Sequence, residues 1–209
     1  SYPLRYTPRK MCTITSDAKY LALIETDHNE YNEDEKEKLS PSTDSMAVEP
    51  AVSSNPDGME EDEEEEEIEI PVRGPVPPTQ GKWASCIRIM DPTTGETKEL
   101  LELANNEAAY SICSEETFMI VGVGKDVTLH PLRCSAAYVN VYRLVDNRLQ
   151  LLHQTEVEEV PFAVCAFNGR LLVGIGKCLR LYELGKRKLL RKCENKLFPQ
   201  TIVKLLTHG

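Results

Sequence analysis

Apolar and polar residues alternate along many short stretches of this chain, a pattern that predicts β-strands. The alternation is clearest over residues 138–144 and 178–184. Two-residue turn signals, such as Asn168-Gly169 and Asp146-Asn147, separate neighbouring stretches. The chain is therefore predicted to be all-β, with antiparallel strands joined by short turns.

One sequence cassette occurs twice. Residues 119–126 recur as 172–178, which places Gly122 and Gly174 52 residues apart. The alternating strands that follow each copy recur as well, and a third partial copy lies at 86–101. Self-similarity of strands at roughly 40–50 residues is the period of a β-propeller blade. We therefore predict a partial β-propeller of about three four-stranded antiparallel blades, an architecture that serves as a binding scaffold.

The strand and turn pattern divides the chain into blades. The predicted divisions are a blade over 11–103, interrupted by a loop at 33–79; a blade over 109–154; a blade over 160–193; and the start of a further blade over 197–209, opening with a strand at 203–206. Two or three blades leave open sheet edges, which natural propellers remove by closing the ring. We therefore expect the chain to be a fragment of a larger protein.

The negative charge of the chain is concentrated in one segment. Residues 29–70 contain 17 Asp or Glu against two Lys, whereas the whole chain has a formal net charge of −10, so the remainder is positive by 5. The segment also contains several prolines and few apolar residues, too few to offset the entropy cost of ordering. We therefore predict a long disordered acidic loop at 33–79, inserted within the first blade.

The seven cysteines show no spacing typical of a metal site or a disulfide framework. They stand at positions 12, 86, 113, 134, 165, 178 and 193, mostly inside apolar strand patterns. Their odd number and scattered spacing predict reduced thiols in a nuclear or cytosolic protein, used as small apolar side chains. No apolar run approaches the ~20 residues that a membrane-spanning helix requires.

Three patterns in the sequence are candidates for chemistry. The two Gly-x-Gly-Lys copies, ending at Lys125 and Lys177, fail as phosphate loops because both lack the first glycine and the hydroxyl that follows the lysine. They are better interpreted as turns at strand ends. The four histidines, at 28, 130, 153 and 208, are scattered, and the carboxylate pair Glu158-Glu159 is of a common kind. No catalytic, cofactor-binding or metal-binding residue is identified, and no cofactor is predicted.

A basic stretch at 186–192 is open to two interpretations. Lys186-Arg187-Lys188 with Arg191-Lys192 could form a nuclear import signal or a nucleic-acid patch. The favoured interpretation is the polar side of a solvated outer strand. Aromatic platforms for bases are sparse in this region, where Tyr182 and Phe198 are the aromatic residues. The acidic run could hold basic partners, but a solvating spacer is favoured.

Several long segments resemble the splicing factor 3B subunit 3 family of large propeller proteins. They cover residues 2–10, 24–29, 83–90, 106–110, 158–161 and 188–196. The wider family includes the large subunit of the damaged-DNA-binding complex and the large cleavage-and-polyadenylation specificity factor subunit. The resemblance implies three seven-bladed propellers followed by a helical region, with this chain at the start of the third propeller, and no enzymatic site.

The resemblance also implies a function and partners. The leading hypothesis is a non-catalytic, nuclear scaffold subunit of the splicing factor 3B complex in the U2 small nuclear ribonucleoprotein, acting in pre-mRNA splicing and branch-site recognition. Its partners would be the other subunits of that complex, especially the large helical-repeat subunit, with indirect RNA contact and no membrane. The alternative is an adaptor of the ubiquitin-ligase, DNA-repair or mRNA 3′-end cleavage type.

Overall fold

The computed structural model describes residues 4–15, 18–28 and 82–207, which belong to one compact unit. These residues form strands and no helix. The strands are β1 Pro8–Thr15, β2 Lys19–His28, β3 Trp83–Met90, β4 Thr97–Glu102, β5 Glu107–Glu115, β6 Phe118–Lys125, β7 Thr128–Leu129, β8 Leu132–Arg133, β9 Ala136–Val145, β10 Arg148–Val157, β11 Pro161–Phe167, β12 Arg170–Ile175, β13 Cys178–Leu184 and β14 Leu189–Asn195.

Twelve of these strands form three antiparallel sheets of four strands each. Sheet 1 has the order β1-β2-β3-β4, sheet 2 the order β5-β6-β9-β10 and sheet 3 the order β11-β12-β13-β14. Each sheet is a meander, because each strand pairs with the next of its sheet in chain order. The predicted all-β fold with propeller-like four-stranded sheets is therefore confirmed.

Strand register shows that the repeated cassette is a structural repeat. Val121 of the first copy pairs with Asn140, and Val173 of the second copy pairs with Arg180. Asn140 and Arg180 both lie in the third strand of their sheet and are both buried. In sheet 1 the third strand also carries a buried polar residue, Arg88. Each sheet thus places at least one buried polar side chain in its third strand.

Two of the predicted turns have the backbone that their residues favour. Asn168 and Gly169 have φ values of 49° and 69°, and Asp146 and Asn147 have φ values of 50° and 61°. Two consecutive positive φ values are typical of the hairpin turns whose twist matches that of the flanking strands. Asn, Asp and Gly adopt this conformation at the lowest cost, which explains their use here.

The apolar core lies between the sheets. One cluster joins sheets 1 and 2, with Ile24 and Ile87 packed against Met119 and Val121. A second cluster joins sheets 2 and 3, with Val139 of sheet 2 among its fully buried members. A fully buried side chain of this kind contributes about 1.5–3 kcal/mol relative to exposure, so the interfaces between sheets are the main source of stability.

Three of the four cassette glycines lie inside strands, which corrects their interpretation as turns at strand ends, whereas Gly176 lies in the turn between β12 and β13, with a φ of 53°, as expected. Gly122 and Gly124 are within β6, and Gly174 is within β12. A Cβ atom on Gly122 would collide with the Ser111 hydroxyl and the Pro161 carbonyl. Ser111 donates a hydrogen bond to that same carbonyl. The glycine is therefore needed because sheets 2 and 3 approach closely here.

Other regions differ from expectation or lie outside the description. Residues 196–207 form no strand, so the expected strand at 203–206 is not present. This segment is held by a backbone hydrogen bond of another kind, in which the Ile202 amide donates to the Gly176 carbonyl with an N–O distance of 2.8 Å. That 197–209 starts a further blade stays a prediction.

The small hairpin of β7 and β8 was not predicted from the sequence. The acidic loop predicted at 33–79 lies outside the described residues.

Candidate interaction surface

Topology gathers several connections at one end of the three sheets. In an antiparallel sheet, the second-to-third connection lies at the end where the first strand begins. Contacts such as the hydrogen bond from Thr26 Oγ1 to the Ala109 carbonyl align this end in neighbouring sheets. We call the surface formed by residues 103–106, 126–135, 158–160 and 176–177 the connector face. The opposite end, with the turns at 146–147 and 168–169, is the hairpin face.

Trp83 fixes the connection at 126–135 to sheet 1. Its indole Nε1 donates to the Val127 carbonyl at 2.7 Å, and its amide donates to Asn106 Oδ1 at 2.8 Å. The Asn106 side chain in turn donates to Asp126 Oδ1 at 2.7 Å. Three separate segments are therefore held by one set of hydrogen bonds, which gives the connector face a defined shape.

A row of aromatic rings runs across the three sheets beneath the connector face. The ring centroids are 4.3 Å apart for His28 and Trp83, 5.6 Å for Trp83 and Tyr110, and 5.2 Å for Tyr110 and Phe162. The latter two pairs are edge-to-face, an arrangement that aromatic quadrupoles favour. Within the described residues, His28 Nε2 and the Tyr110 hydroxyl are buried without a hydrogen-bond partner. Burial lowers the pKa of His28 and raises the pKa of Tyr110, so both groups are neutral at pH 7.

A buried ion pair supports the sheet 1 part of this surface. The fully buried carboxylate of Glu25 accepts hydrogen bonds from Arg88 Nε and Nη2. It also accepts from the backbone amides of Arg5 and Tyr6, at 2.8 and 3.1 Å. Burial acts to raise the pKa of Glu25, but these hydrogen bonds outweigh it and the pKa lies below its ordinary value. The pair thereby fixes the segment that precedes β1.

A second arginine organises the sheet 3 part. Arg180 donates bidentately to Glu158, with distances of 2.6 Å from Nη1 to Oε2 and 2.9 Å from Nη2 to Oε1. Its Nε donates to Glu194 Oε2 at 3.0 Å. The hydrogen bond from Arg180 lowers the pKa of Glu158, which keeps this carboxylate ionised. The connection at 158–160 is therefore tied to the third strand of sheet 3.

Two clefts open on the connector face on either side of Glu158 and Glu159. One, of about 290 Å³, is lined by both carboxylates together with Lys177, Arg180 and Lys196. The other, of about 280 Å³, is lined by both carboxylates and by residues 132–134 of the β7–β8 region. Both clefts mix charged and apolar atoms, as the surfaces that proteins use to contact one another do.

The candidates from sequence are not brought together into one site. Lys177 is exposed in a turn on the connector face, and Lys125 ends β6. His28 lies in the aromatic row, His153 is buried in sheet 2, and His130 is exposed. His208 lies outside the described residues. The part of the chain that the structure describes contains no group of three or more His, Cys, Asp or Glu that could hold a metal ion.

The cysteines are unpaired, and the basic stretch begins in an exposed turn. All seven cysteines are free. Burial raises the pKa of Cys12 and Cys86 to about 12, which makes their thiols poor nucleophiles at neutral pH. Residues 186–188 form an exposed turn, and β14, at the outer edge of sheet 3, follows it. No helix in the described ranges has the length and apolar character needed to cross a membrane.

Sequence reasoning missed the residues that shape the connector face. Arg88 and Arg180 each interrupt an apolar strand, which is a readable signal for a buried, paired guanidinium. Their partners could not be read, because Glu25 and Arg88 are 63 residues apart and Glu158 and Arg180 are 22 apart. The aromatic row draws on all three sheets, so it becomes visible only once the sheets are packed.

Comparison with known proteins places this architecture in a family. The family described as the CPSF A subunit region matches residues 84–209, more than half of the chain. The chain belongs to the CPSF A subunit family. The match begins at residue 84, so it does not include β1, β2 or the acidic segment.

Individual relatives of this CPSF A family member are splicing proteins by name. Spliceosome-associated protein 130 A of Arabidopsis thaliana is 42% identical over 99% of the chain, and splicing factor 3B subunit 3 of Danio rerio is 39% identical over 100% of it. Pre-mRNA-splicing factor RSE1 of Mycosarcoma maydis is 50% identical over 62%. The resemblance noted from sequence is therefore confirmed. The chain spans 18% of the length of the first two relatives and 11% of the third.

Proposed function

We propose that this chain is part of a non-catalytic scaffold subunit of the splicing factor 3B complex in the U2 small nuclear ribonucleoprotein. In this role it supports pre-mRNA splicing and branch-site recognition through protein–protein contacts. The observation that carries the proposal is the similarity, over 99–100% of the chain, to relatives named as spliceosomal proteins. The protein would act in the nucleus.

The connector face supports a role in protein contact. It joins a rigid hydrogen-bonded frame around Trp83 to two clefts that mix arginine, glutamate and apolar side chains. Arginine and aromatic residues are enriched at protein interfaces and often contribute most of the binding energy. We propose that this face contacts other splicing factor 3B subunits, especially the large helical-repeat subunit, and that contact with RNA is indirect.

Affinity purification of the tagged full-length protein from nuclear extract tests the role. We expect U2 proteins to co-purify and to remain after nuclease treatment and in about 0.3 M salt, because charge-driven RNA contacts weaken steeply with salt. Loss of U2 proteins after nuclease would mean that RNA is the tether. Recovery of cullin-type ligase or cleavage-and-polyadenylation components in their place would favour the adaptor alternative.

A pair of surface variants tests the location of the contact. The double variant Leu132→Asp/Arg133→Glu changes exposed residues on the connector face. Arg148→Glu changes an exposed residue at the hairpin end of β10 and serves as the matched control. We expect the first to reduce recovery of splicing factor 3B subunits and the second to leave it unchanged. Equal recovery with both would remove the connector face from the interface.

A further inference from the structure

A cleft between sheets 2 and 3 lies away from the connector face. It has a volume of about 260 Å³ and is lined by Phe118, Val141, Leu152, His153, Leu184 and Lys186, among others. We call it the outer cleft. The Leu189 amide, which donates to Thr155 Oγ1 at 3.0 Å, ties the outer strands of the two sheets together beside it. The cleft therefore has fixed walls made by two sheets.

The lining of the outer cleft is mostly apolar and partly open to solvent. Leu152 is 43% exposed, and Leu151 and Leu190 nearby in sequence are 51% and 44% exposed. Sites for small-molecule ligands typically measure roughly 300–1,000 Å³. The smaller volume here fits one or two amino-acid side chains better than a cofactor.

Three unpaired cations lie in the turn whose first residue, Lys186, lines the outer cleft. Lys186, Arg187 and Lys188 form an exposed turn, and none of them takes part in an ion pair within the described residues. The other basic residues of this stretch are neutralised, because Arg191 pairs with Glu194 and Lys192 pairs with Glu183. Positive charge is thus left free beside the cleft and nowhere else along the stretch.

One wall of the outer cleft holds unused hydrogen-bonding capacity. His153 is 8% exposed, and its Nδ1 atom is buried without a partner among the described residues. Burial lowers the pKa of His153, against an opposing effect of a hydrogen bond with the Gly185 backbone. The ring is therefore neutral at pH 7, and its Nδ1 atom keeps an unused hydrogen-bonding position in this wall.

We propose that the outer cleft binds an acidic peptide segment of a partner protein, which inserts one large apolar side chain between sheets 2 and 3 while its carboxylates lie on Lys186, Arg187 and Lys188. The apolar walls select the anchor, and the free cations select the charge of the flanking residues. This inference does not depend on the splicing role proposed above, since it concerns a different surface and names only the chemistry of the bound segment.

An acidic peptide fits the outer cleft better than single-stranded RNA does. Proteins that bind single strands combine cations with exposed aromatic platforms on which bases stack. Here Phe118 is half-buried and Tyr182 is 3% exposed, so neither presents an open ring face beside the turn. The apolar surface that is available comes from leucines, which suit an aliphatic or aromatic anchor.

Fluorescence anisotropy with the purified full-length protein tests the proposal. The probe is a fluorescein-labelled peptide in which a Leu-Phe pair is followed by four glutamates. We expect the triple variant Lys186→Glu/Arg187→Glu/Lys188→Glu, and separately Leu152→Asp, to weaken binding by about tenfold or more. Lys19→Glu, which reverses an exposed lysine at the start of β2 in sheet 1, is the control and should bind as the unaltered protein does.

Changes in the probe distinguish the proposed occupant from others. Replacing the Leu-Phe pair by two serines should weaken binding about as much as the triple variant does. Equal binding of the serine peptide would mean non-specific charge attraction and would overturn the proposal. Tighter binding of a 20-nucleotide uridine RNA that is lost in the triple variant would assign the turn to RNA instead. Peptide binding that appears only after residues 60–67 are neutralised would assign the cleft to this chain's own acidic run.

Discussion

The buried carboxylate of Glu25 in β2 is paired with the guanidinium of Arg88 in β3, across the two central strands of sheet 1. The carboxylate is at the same time the acceptor for two backbone amides of the segment before β1. One side-chain pair therefore holds both the middle of the sheet and the chain that leads into it.

Removing Arg88 alone should be more damaging than changing both members of the pair. We expect Arg88→Met to cost about 3–5 kcal/mol, because it leaves a buried carboxylate without its counter-ion. The double variant Glu25→Gln/Arg88→Met should recover part of this loss. Native-state hydrogen exchange of residues 20–28 and 83–90 in the full-length protein measures the effect locally. Arg143→Met, at an exposed arginine of β9, should change these rates little.

The same pair predicts opposite pH dependences for the protein and its variant. The pKa of Glu25 is lowered by folding, so its stabilising contribution is present above the ordinary value of 4.5 and is lost as the pH falls through the lower folded value. In Arg88→Met, burial should raise this pKa instead, and the variant should regain stability as the pH falls towards 4.5. Hydrogen-exchange rates measured between pH 7 and 4, and corrected for the intrinsic pH dependence of exchange, test whether stability rises or falls with pH in each protein. Parallel pH profiles would contradict the assignment.

Two conservative substitutions in the aromatic row should have opposite effects on stability. Trp83→Phe removes the donor to the Val127 carbonyl and should destabilise the connection at 126–135 by about 1–3 kcal/mol. Tyr110→Phe removes a buried hydroxyl that has no partner among the described residues, so it should be neutral or stabilising by up to about 1 kcal/mol. Hydrogen exchange over 126–135 distinguishes them, and similar losses in both variants would mean that ring packing alone matters.

The contact at Gly122 predicts a steric effect with an informative control. Gly122→Ala places a methyl group against Ser111 and Pro161, so we expect a loss of about 1–3 kcal/mol at the interface of sheets 2 and 3. Gly169→Asn introduces a larger side chain where nothing lies within 4 Å, and Asn tolerates the positive φ of 69° found there. It should leave thermal stability within about 0.5 kcal/mol. A neutral Gly122→Ala would mean that the sheets can separate without cost.

Arginine geometry should matter at 180 and not at 191, although both residues contact Glu194. Arg180→Lys loses the bidentate contact with Glu158 in a side chain that is 8% exposed, and we expect a cost of about 2 kcal/mol. Arg191→Lys keeps a charge at a side chain that is 56% exposed and should change stability by less than about 0.5 kcal/mol. Hydrogen exchange of the β13 amides, measured at increasing denaturant concentration, compares the stability of the two variants.

Local pattern was sufficient to predict the sheets, because alternation and turn residues act over a few positions. Residues 178–184 alternate along β13, and Asn168-Gly169 forms the hairpin that its residues favour. Prediction failed where the cause is distant in sequence. The sequence around Gly122 predicts a turn, whereas the real constraint on this glycine is the Pro161 carbonyl, which is 39 positions away and belongs to another sheet. The strand expected at 203–206 is missing because apolar residues form a strand only where a neighbouring backbone pairs with them.

The third strands of the sheets carry two arginines, Arg88 and Arg180, and one asparagine, Asn140, within one repeated backbone. This difference makes the repeats non-interchangeable. A duplication or exchange that moved β13 into the place of β9 would put a guanidinium where Asn140 now lies opposite Val121, away from the Glu158 and Glu194 carboxylates that pair with Arg180 in sheet 3. The misplaced cation would cost several kcal/mol. Recombination between repeats is thereby penalised, and the order of the sheets along the chain is preserved although their backbones are alike.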